Sequence, residues 1–510
     1  MTSSYKTRWL LAALVFIPAI VLRIWIGESG LFYDDGMIVL RVASNIARGY
    51  GFCYNVGEHV QAATSLLWTL LSALVWKISP DHSFSLIRGM GVLMDSLAAV
   101  GLVLILLVAP ENEKAAKDLS AGKIIPALIA GLFYATASTS ALAAPSGLET
   151  GLYAFLISLS FLALIAARVS TAVVLSILLV LVRPDGVLVA GSIGAYVLIT
   201  HPEKRRFATI TYFVCGLLYL IGTYSYFHEI LPQTVIAKEL FQRSAVTQWS
   251  VIIHHFFLGA AAPTGILALA GAWEIAIHRA SLRIFLIWSA LYIFCFATFS
   301  EWWPWYLPPV VLAYCLCVGV GFESILRYAM RLTNSEHYQL PVGIAAALAI
   351  SVASLFLTLR KVPAMAMAQT LRLQRGQRVA SLITASSAPG DSVMLEPLGI
   401  IGFYTPRTFY DYPGLASPRT TRVLRTLGRE VSKVPDSPEV MKMLLEKVKP
   451  DFLVLREHEY EVDEAGHALS SCNLVATVPV RVAPVEQPIL AGQCGDCDTT
   501  MYLLKCLPTA

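Results

Sequence analysis

The sequence predicts an all-α polytopic membrane domain over residues 1–360, followed by a small soluble α/β domain over residues 361–510. Of its 510 residues, 56% are hydrophobic and 14% charged, against about 25% charged in an ordinary soluble domain. That excludes a soluble globular chain and a disordered one. The charge is also unevenly spread: residues 361–510 hold sixteen Lys and Arg and sixteen Asp and Glu, leaving 22 and 18 for the preceding 360 positions. Apolar runs near the length needed to cross hydrocarbon, about 20 residues, recur through the first part and stop near residue 360. The net charge of +4 provides no basic footprint for phosphate backbones, so nucleic acid is excluded as a main partner.

The first run, from Trp9 to about Gly27 behind Lys6 and Arg8, lacks a small-residue cleavage site and reads as a retained signal-anchor with a cytoplasmic N-terminus. Thr64–Ile78 is only 15 residues long and ends beside Lys77, which suits the membrane interface better than a crossing. A crossing there would put Lys114, Lys117 and Lys123 outside, so residues 28–85 read as one long external loop with membrane-hugging helices. Further spans fall near 86–109, 124–145, 151–168, 170–182, 187–200, 207–228, 255–277, 284–300, 305–327 and 340–360. This makes about eleven crossings, an odd number, so the soluble tail lies opposite the N-terminus. Basic residues then collect mostly inside and acids outside, with Arg41, Arg48, Lys238 and Arg243 as outer cations.

In the tail, an amphipathic stretch follows Ala364, apolar runs at Ser392–Leu395 and Phe452–Leu455 read as strands, and Pro438–Val448 reads as a helix. Four of the nine cysteines lie here: Cys472, Cys494, Cys497 and Cys506. On an oxidising side they suit two structural disulfides, in any of three pairings. The Cys494–Cys497 pair could also be redox-active or metal-binding, but no second ligand pair accompanies it. Cys215, Cys295, Cys315 and Cys317 read as buried apolar residues.

Candidate chemistry gathers on the external side. Asp34 and Asp35 follow the first span closely, and adjacent carboxylates near a bilayer need water, a cation or a substrate hydroxyl. Their reading is a general base with a neighbour that positions the acceptor or a divalent cation, or an N-cap for the helix that follows. Glu149 either caps the next helix or faces the same cavity. Arg183-Pro184-Asp185-Gly186 joins two short apolar segments and is either a phosphate fork or an internal ion pair. Lys238, beyond Leu231-Pro232-Gln233-Thr234, suits a leaving phosphate, with His254 and His255, placed at the start of the following helix, able to assist. Glu301, Trp302 and Trp303 read as an interfacial aromatic belt or a sugar-stacking surface. Asp95, inside a span, has no partner visible in the sequence.

The ordered stretch Asp34-Asp35, Arg41, Asn45, Gly49, Gly51, Asn55, Gly57, Glu58, Val60, Gln61, Thr64 and Trp68 resembles the first external loop of GT-C glycosyltransferases. Among these it resembles the group that includes the mycobacterial terminal arabinofuranosyltransferases and related bacterial enzymes of unknown acceptor. Gly147–Thr150, Arg183–Gly186, Leu231–Thr234 with Lys238, and Asp411-Tyr412-Pro413-Gly414-Leu415 are similar to later motifs in the same order. Gln233 stands where the group has Asn, and His59 where Arg is commoner. The resemblance implies a bacterial plasma-membrane enzyme that transfers a pentose or hexose, with inversion, from a polyprenyl-phosphate donor to a glycan, lipid or protein acceptor. It implies no certain cofactor, and it makes an Asp of the first loop the base. The alternatives are a transporter or flippase for a lipid-linked sugar, which wants broken helices around a midplane site, and an inactive scaffold homologue.

Overall fold

The computed structural model describes residues 3–109, 120–240, 245–299, 302–427, 437–479 and 500–507. Glu301, Cys494 and Cys497 lie outside the described residues. Along the chain run α1 (Ser3–Glu28), α2 (Asp34–Ala47), α3 (Leu66–Ile78), α4 (Ser83–Val108), α5 (Ala121–Thr136), α6 (Ser138–Ala143), α7 (Thr150–Ile165) and α8 (Val169–Val182). Then come α9 (Gly186–Thr200), α10 (Pro202–Phe227), α11 (Gln233–Leu240), α12 (Ala245–Phe257), α13 (Ala262–His278), α14 (Arg283–Phe299), α15 (Pro308–Leu332) and α16 (Gln339–Ser386). The tail holds β1 (Ser392–Leu395), α17 (Gly399–Tyr404), β2 (Thr408–Asp411), α18 (Pro418–Arg425), α19 (Pro438–Val448), β3 (Phe452–Arg456), α20 (Glu457–Ala465), β4 (Cys472–Val478) and β5 (Met501–Cys506).

Among the described residues, seven helical stretches are long and apolar enough to cross a membrane, and α3, α5, α7, α8 and α9 are shorter apolar helices. Large apolar side chains turn outward along them, such as Leu14, Ile17 and Val21 on α1 and Phe213 and Leu218 on α10. Hydrocarbon is the solvent such faces require. The expected run near 255–277 begins differently: α12 ends at Phe257, Gly259 takes φ +58°, and α13 starts at Ala262. His254 and His255 therefore sit in the last turn of α12. This corrects their expected place at the start of a helix.

The structure divides into two compact units. The first comprises residues 1–28, 88–219 and 244–362 and is helical. Its α13 and α15 meet backbone to backbone: a Cβ on Gly271 would come within 1.8 Å of Cys317 O, and one on Gly321 within 2.0 Å of Leu267 O. Close approach through small residues is how helices associate without a hydrophobic drive. Asp95 does have a partner here. The buried Arg23 of α1 pairs with it, Tyr134 Oη donates to it at 2.7 Å, and Arg23 Nη1 donates to Ala135 O at 2.7 Å. That carbonyl is one of those left unpaired where α5 stops.

The second unit comprises residues 29–87, 220–243 and 363–510, so the first loop groups with the tail and departs from the expected division at residue 360. Polar loop side chains are the physical reason. Arg41 donates to the carbonyls of Gly402, Thr405 and Arg407, and Asn55 exchanges two 2.9 Å bonds with the Phe409 backbone, as a neighbouring strand would. The sheet runs β2-β1-β3-β5-β4, with β1 parallel to β2 and β3 and with β5 antiparallel to β3 and β4. Met394, Leu453, Leu455 and Leu504 pack with Leu424, Met441 and Leu444 into its core. A disulfide joins Cys472 to Cys506 across β4 and β5.

Candidate active site

Asp34 and Asp35 open α2, but neither is its N-cap: Tyr33 holds that position in extended conformation and makes no side-chain cap bond. Asp34 caps a different helix. Its Oδ2 accepts from Gly399 N and its Oδ1 from Ile400 N, both at 2.8 Å, which satisfies the first amides of α17. Two turns along α2, Arg41 donates to carbonyls at the other end of α17. An acid at the N-terminus and a base at the C-terminus both complement the helix dipole. The fit depends on glycine, because a Cβ on Gly399 would lie 1.9 Å from Asp34 O and one on Gly402 would lie 1.8 Å from Tyr54 Oη. Tyr54 Oη itself donates to Leu398 O at 2.8 Å.

Burial pushes the Asp34 carboxyl up to about 6; the two amides pull it back, neighbouring Asp35 adds to the rise, and Arg372 lowers it. Burial likewise raises Asp35, and there the opposing cation is Lys238. The sequence thus identified three members of one electrostatic cluster, Asp34, Asp35 and Lys238, and missed Arg372. No linear signal marks Arg372, since α16 reads as an amphipathic helix and only the fold brings it near α2.

Much of the first-loop motif secures backbone. Asn45 Nδ2 donates to Cys53 O at 2.9 Å, and Gly49, Gly51 and Gly57 take φ of +87°, +86° and +88°. Gln233 N donates to Gln61 O at 3.2 Å, and its Nε2 reaches Gly414 O at 2.8 Å and Thr421 Oγ1 at 3.0 Å. In the tail motif, Asp411 turns the chain by accepting from Leu415 N and Ala416 N. Burial pushes that carboxyl up to about 6. Beyond the end of β1, Glu396 is pushed up to about 7 by burial, against an ion pair with Arg456.

The remaining candidates belong to the first unit. Arg183 is buried; its Nε bonds Asp185 Oδ1 at 2.9 Å, its Nη1 bonds Trp305 O at 3.0 Å, and its guanidinium lies 4.7 Å from the ring centroids of both Tyr153 and Tyr306. Glu149 is buried within electrostatic reach of Arg183 and makes no side-chain cap bond to α7. Trp302 N donates to Gln248 Oε1 at 2.9 Å, and Trp303 stacks on Trp305 with centroids 5.4 Å apart. His255 Nε2 lies 3.0 Å from Thr139 Oγ1. Among the described residues, no group of three or more His, Cys, Asp or Glu is arranged to hold a metal ion.

Comparison with known proteins agrees with this architecture. A family profile described as a domain of unknown function (DUF8728) matches residues 365–501. A terminal beta-(1->2)-arabinofuranosyltransferase of Corynebacterium glutamicum is 27% identical over 267 residues, which is 47% of this chain and 38% of that protein. One of Mycobacterium tuberculosis is 30% identical over 233 residues, 42% of this chain and 36% of that protein. The matched region thus spans well under half the length of these relatives. ArnT from Cupriavidus metallidurans, solved with undecaprenyl phosphate bound, superposes with a TM-score of 0.52 at 13% identity, covering 98% of each chain. An Archaeoglobus fulgidus oligosaccharyltransferase gives 0.53 at 12% identity, over 87% of this chain and 67% of that one. The chain is a multi-pass membrane protein with the GT-C fold, related to the terminal arabinofuranosyltransferases.

Proposed function

We propose that this protein is an inverting membrane glycosyltransferase that takes a pentose or hexose from a polyprenyl-phosphate donor. The acceptor is a hydroxyl of a glycan, lipid or protein on the external face. Asp35 is the base: it takes the acceptor proton, the freed oxygen attacks the anomeric carbon, and the bond to phosphate breaks with its electrons leaving on the polyprenyl phosphate. Lys238 neutralises that departing charge. Asp34 is a positioning residue that holds α17 against α2. The observation that carries this division is that both Asp34 oxygens accept α17 amides, whereas Asp35 has Lys238 as its opposing charge. Similarity to the arabinofuranosyltransferases, and to ArnT with its bound undecaprenyl phosphate, supports the reaction class and the donor class.

Arg183 keeps its ion pair with Asp185 in this reading and supports the turn between α8 and α9. The test incubates purified protein with polyprenyl-phosphate sugars and a pool of candidate acceptors. Sugar transfer that falls sharply in Lys238→Ala is expected. Transfer from no donor in the panel would overturn the assignment.

A further inference from the structure

Among the buried side chains of the second unit whose hydrogen-bonding atoms have no partner among the described residues, four lie on adjoining segments and carry no charge: Gln61 at both Oε1 and Nε2, Thr234, Ser417 and Thr420. Their exposures are 3%, 8%, 1% and 0%. Gln233 ties together the segments that carry them. Its backbone N–H donates to Gln61 O, and its Nε2 bridges Gly414 O and Thr421 Oγ1. Thr234 follows Gln233 directly, while Ser417 and Thr420 lie at the start of α18, beside Thr421.

A buried polar atom left unpaired forfeits its hydration with nothing in return, and native structures hold few of them. Four on adjoining segments call for a common partner. The set comprises three hydroxyls and one carboxamide, without charge, and each group both donates and accepts. A phosphate only accepts and wants a cation, and an acyl or prenyl chain offers neither. The hydroxyls of a neutral sugar, which also donate and accept, match the set. Thr234 and Lys238 are four residues apart on α11 and so share a face, which relates the cluster to the charge that opposes Asp35.

We propose that Gln61, Thr234, Ser417 and Thr420 form a subsite for the hydroxyls of a neutral sugar ring. These atoms are covered in the present arrangement, so the sugar enters as the Gln233 bridge opens. The subsite rests on the glycosyltransferase reading and deepens it; the ring belongs either to the acceptor or to the donor.

The test uses the full chain in detergent, with methyl arabinofuranoside and methyl glucopyranoside as probes. A glycoside should raise the melting temperature of the wild type. Thr420→Val and Thr234→Val, isosteric and on different helices, should melt higher without sugar because an unpaired hydroxyl is gone, yet lose most of the glycoside shift, as should Gln61→Glu. Ordered water could also satisfy these atoms, but it would not make the shift depend on the glycoside. In the transfer assay the same variants should raise KM several-fold for the substrate that supplies the ring: for the acceptor alone or for the donor alone. No shift in the wild type with either probe, or a shift that the variants retain, overturns the subsite. Transfer without the shift sinks the subsite only; a shift that depends on these residues in a protein that transfers no sugar sinks the glycosyltransferase reading only.

Discussion

Asp34 and Asp35 are neighbours in sequence and differ in what they hold. Because Asp34 spends both oxygens on the α17 amides, Asp34→Asn should lower stability by about 1–3 kcal/mol, the cost of breaking a buried polar pairing, and should leave measurable transfer. Asp35→Asn should cost about 10²–10⁴-fold in kcat with little change in melting temperature. Thermal melts and initial rates on the two variants separate the roles. The pH dependence splits in the same way. Asp34 and Asp411 are pushed up to about 6 and Glu396 to about 7, from ordinary values near 4. The folded state therefore binds more protons than the unfolded chain between about pH 4 and 7. The stability these groups contribute is fully present below that window and is lost as pH rises through about 6 to 7. Melting temperature should rise from about pH 8 to about pH 5 while transfer, which needs Asp35 ionised, falls; parallel decline of both would contradict this assignment. The carboxylate pair and Lys238 were legible as residue types. Which Asp does what was not, because the answer depends on amides more than 360 positions away.

At the scale of elements, the short helix α17 is held between opposite charges seven residues apart on α2. Gly399→Ala would drive a Cβ into the Asp34 backbone and should cost about 1–3 kcal/mol by overpacking, with a fall in transfer as the start of α2, which carries Asp35, shifts. Gly390, whose Cβ would meet nothing within 4 Å, is the control: Gly390→Ala should melt and transfer like the wild type. In the first unit, Arg23→Ala leaves the buried Asp95 without its cation, with only the Tyr134 hydroxyl as partner, and should cost about 3–5 kcal/mol, read as a fall in melting temperature. Sequence patterning placed a strand at β1 and a helix near α19, because strand and helix patterns in a half-buried domain are strong local signals. It missed the break at Gly259, where apolar composition continues while the backbone turns, and it found no partner for Asp95 because Arg23 is 72 positions distant.

For the whole molecule, the scarcity of charge before residue 360 was enough to identify a polytopic membrane chain, and the GT-C fold bears that out. Domain grouping was not readable in the same way. Arg41 and Asn55 are polar residues of the first loop, and their bonds to tail carbonyls show that this loop belongs with the tail, which composition does not reveal. The proposed topology places both ends of α3 on one side of the membrane, so Glu58→Cys and Asp81→Cys should label with an impermeant thiol reagent from the same face. The central claim is tested most directly by single-turnover transfer from a polyprenyl-phosphate sugar, comparing wild type with Asp35→Asn at matched donor occupancy. The account predicts that the transfer step slows by at least about 10²-fold in the variant; transfer at the wild-type rate would contradict it.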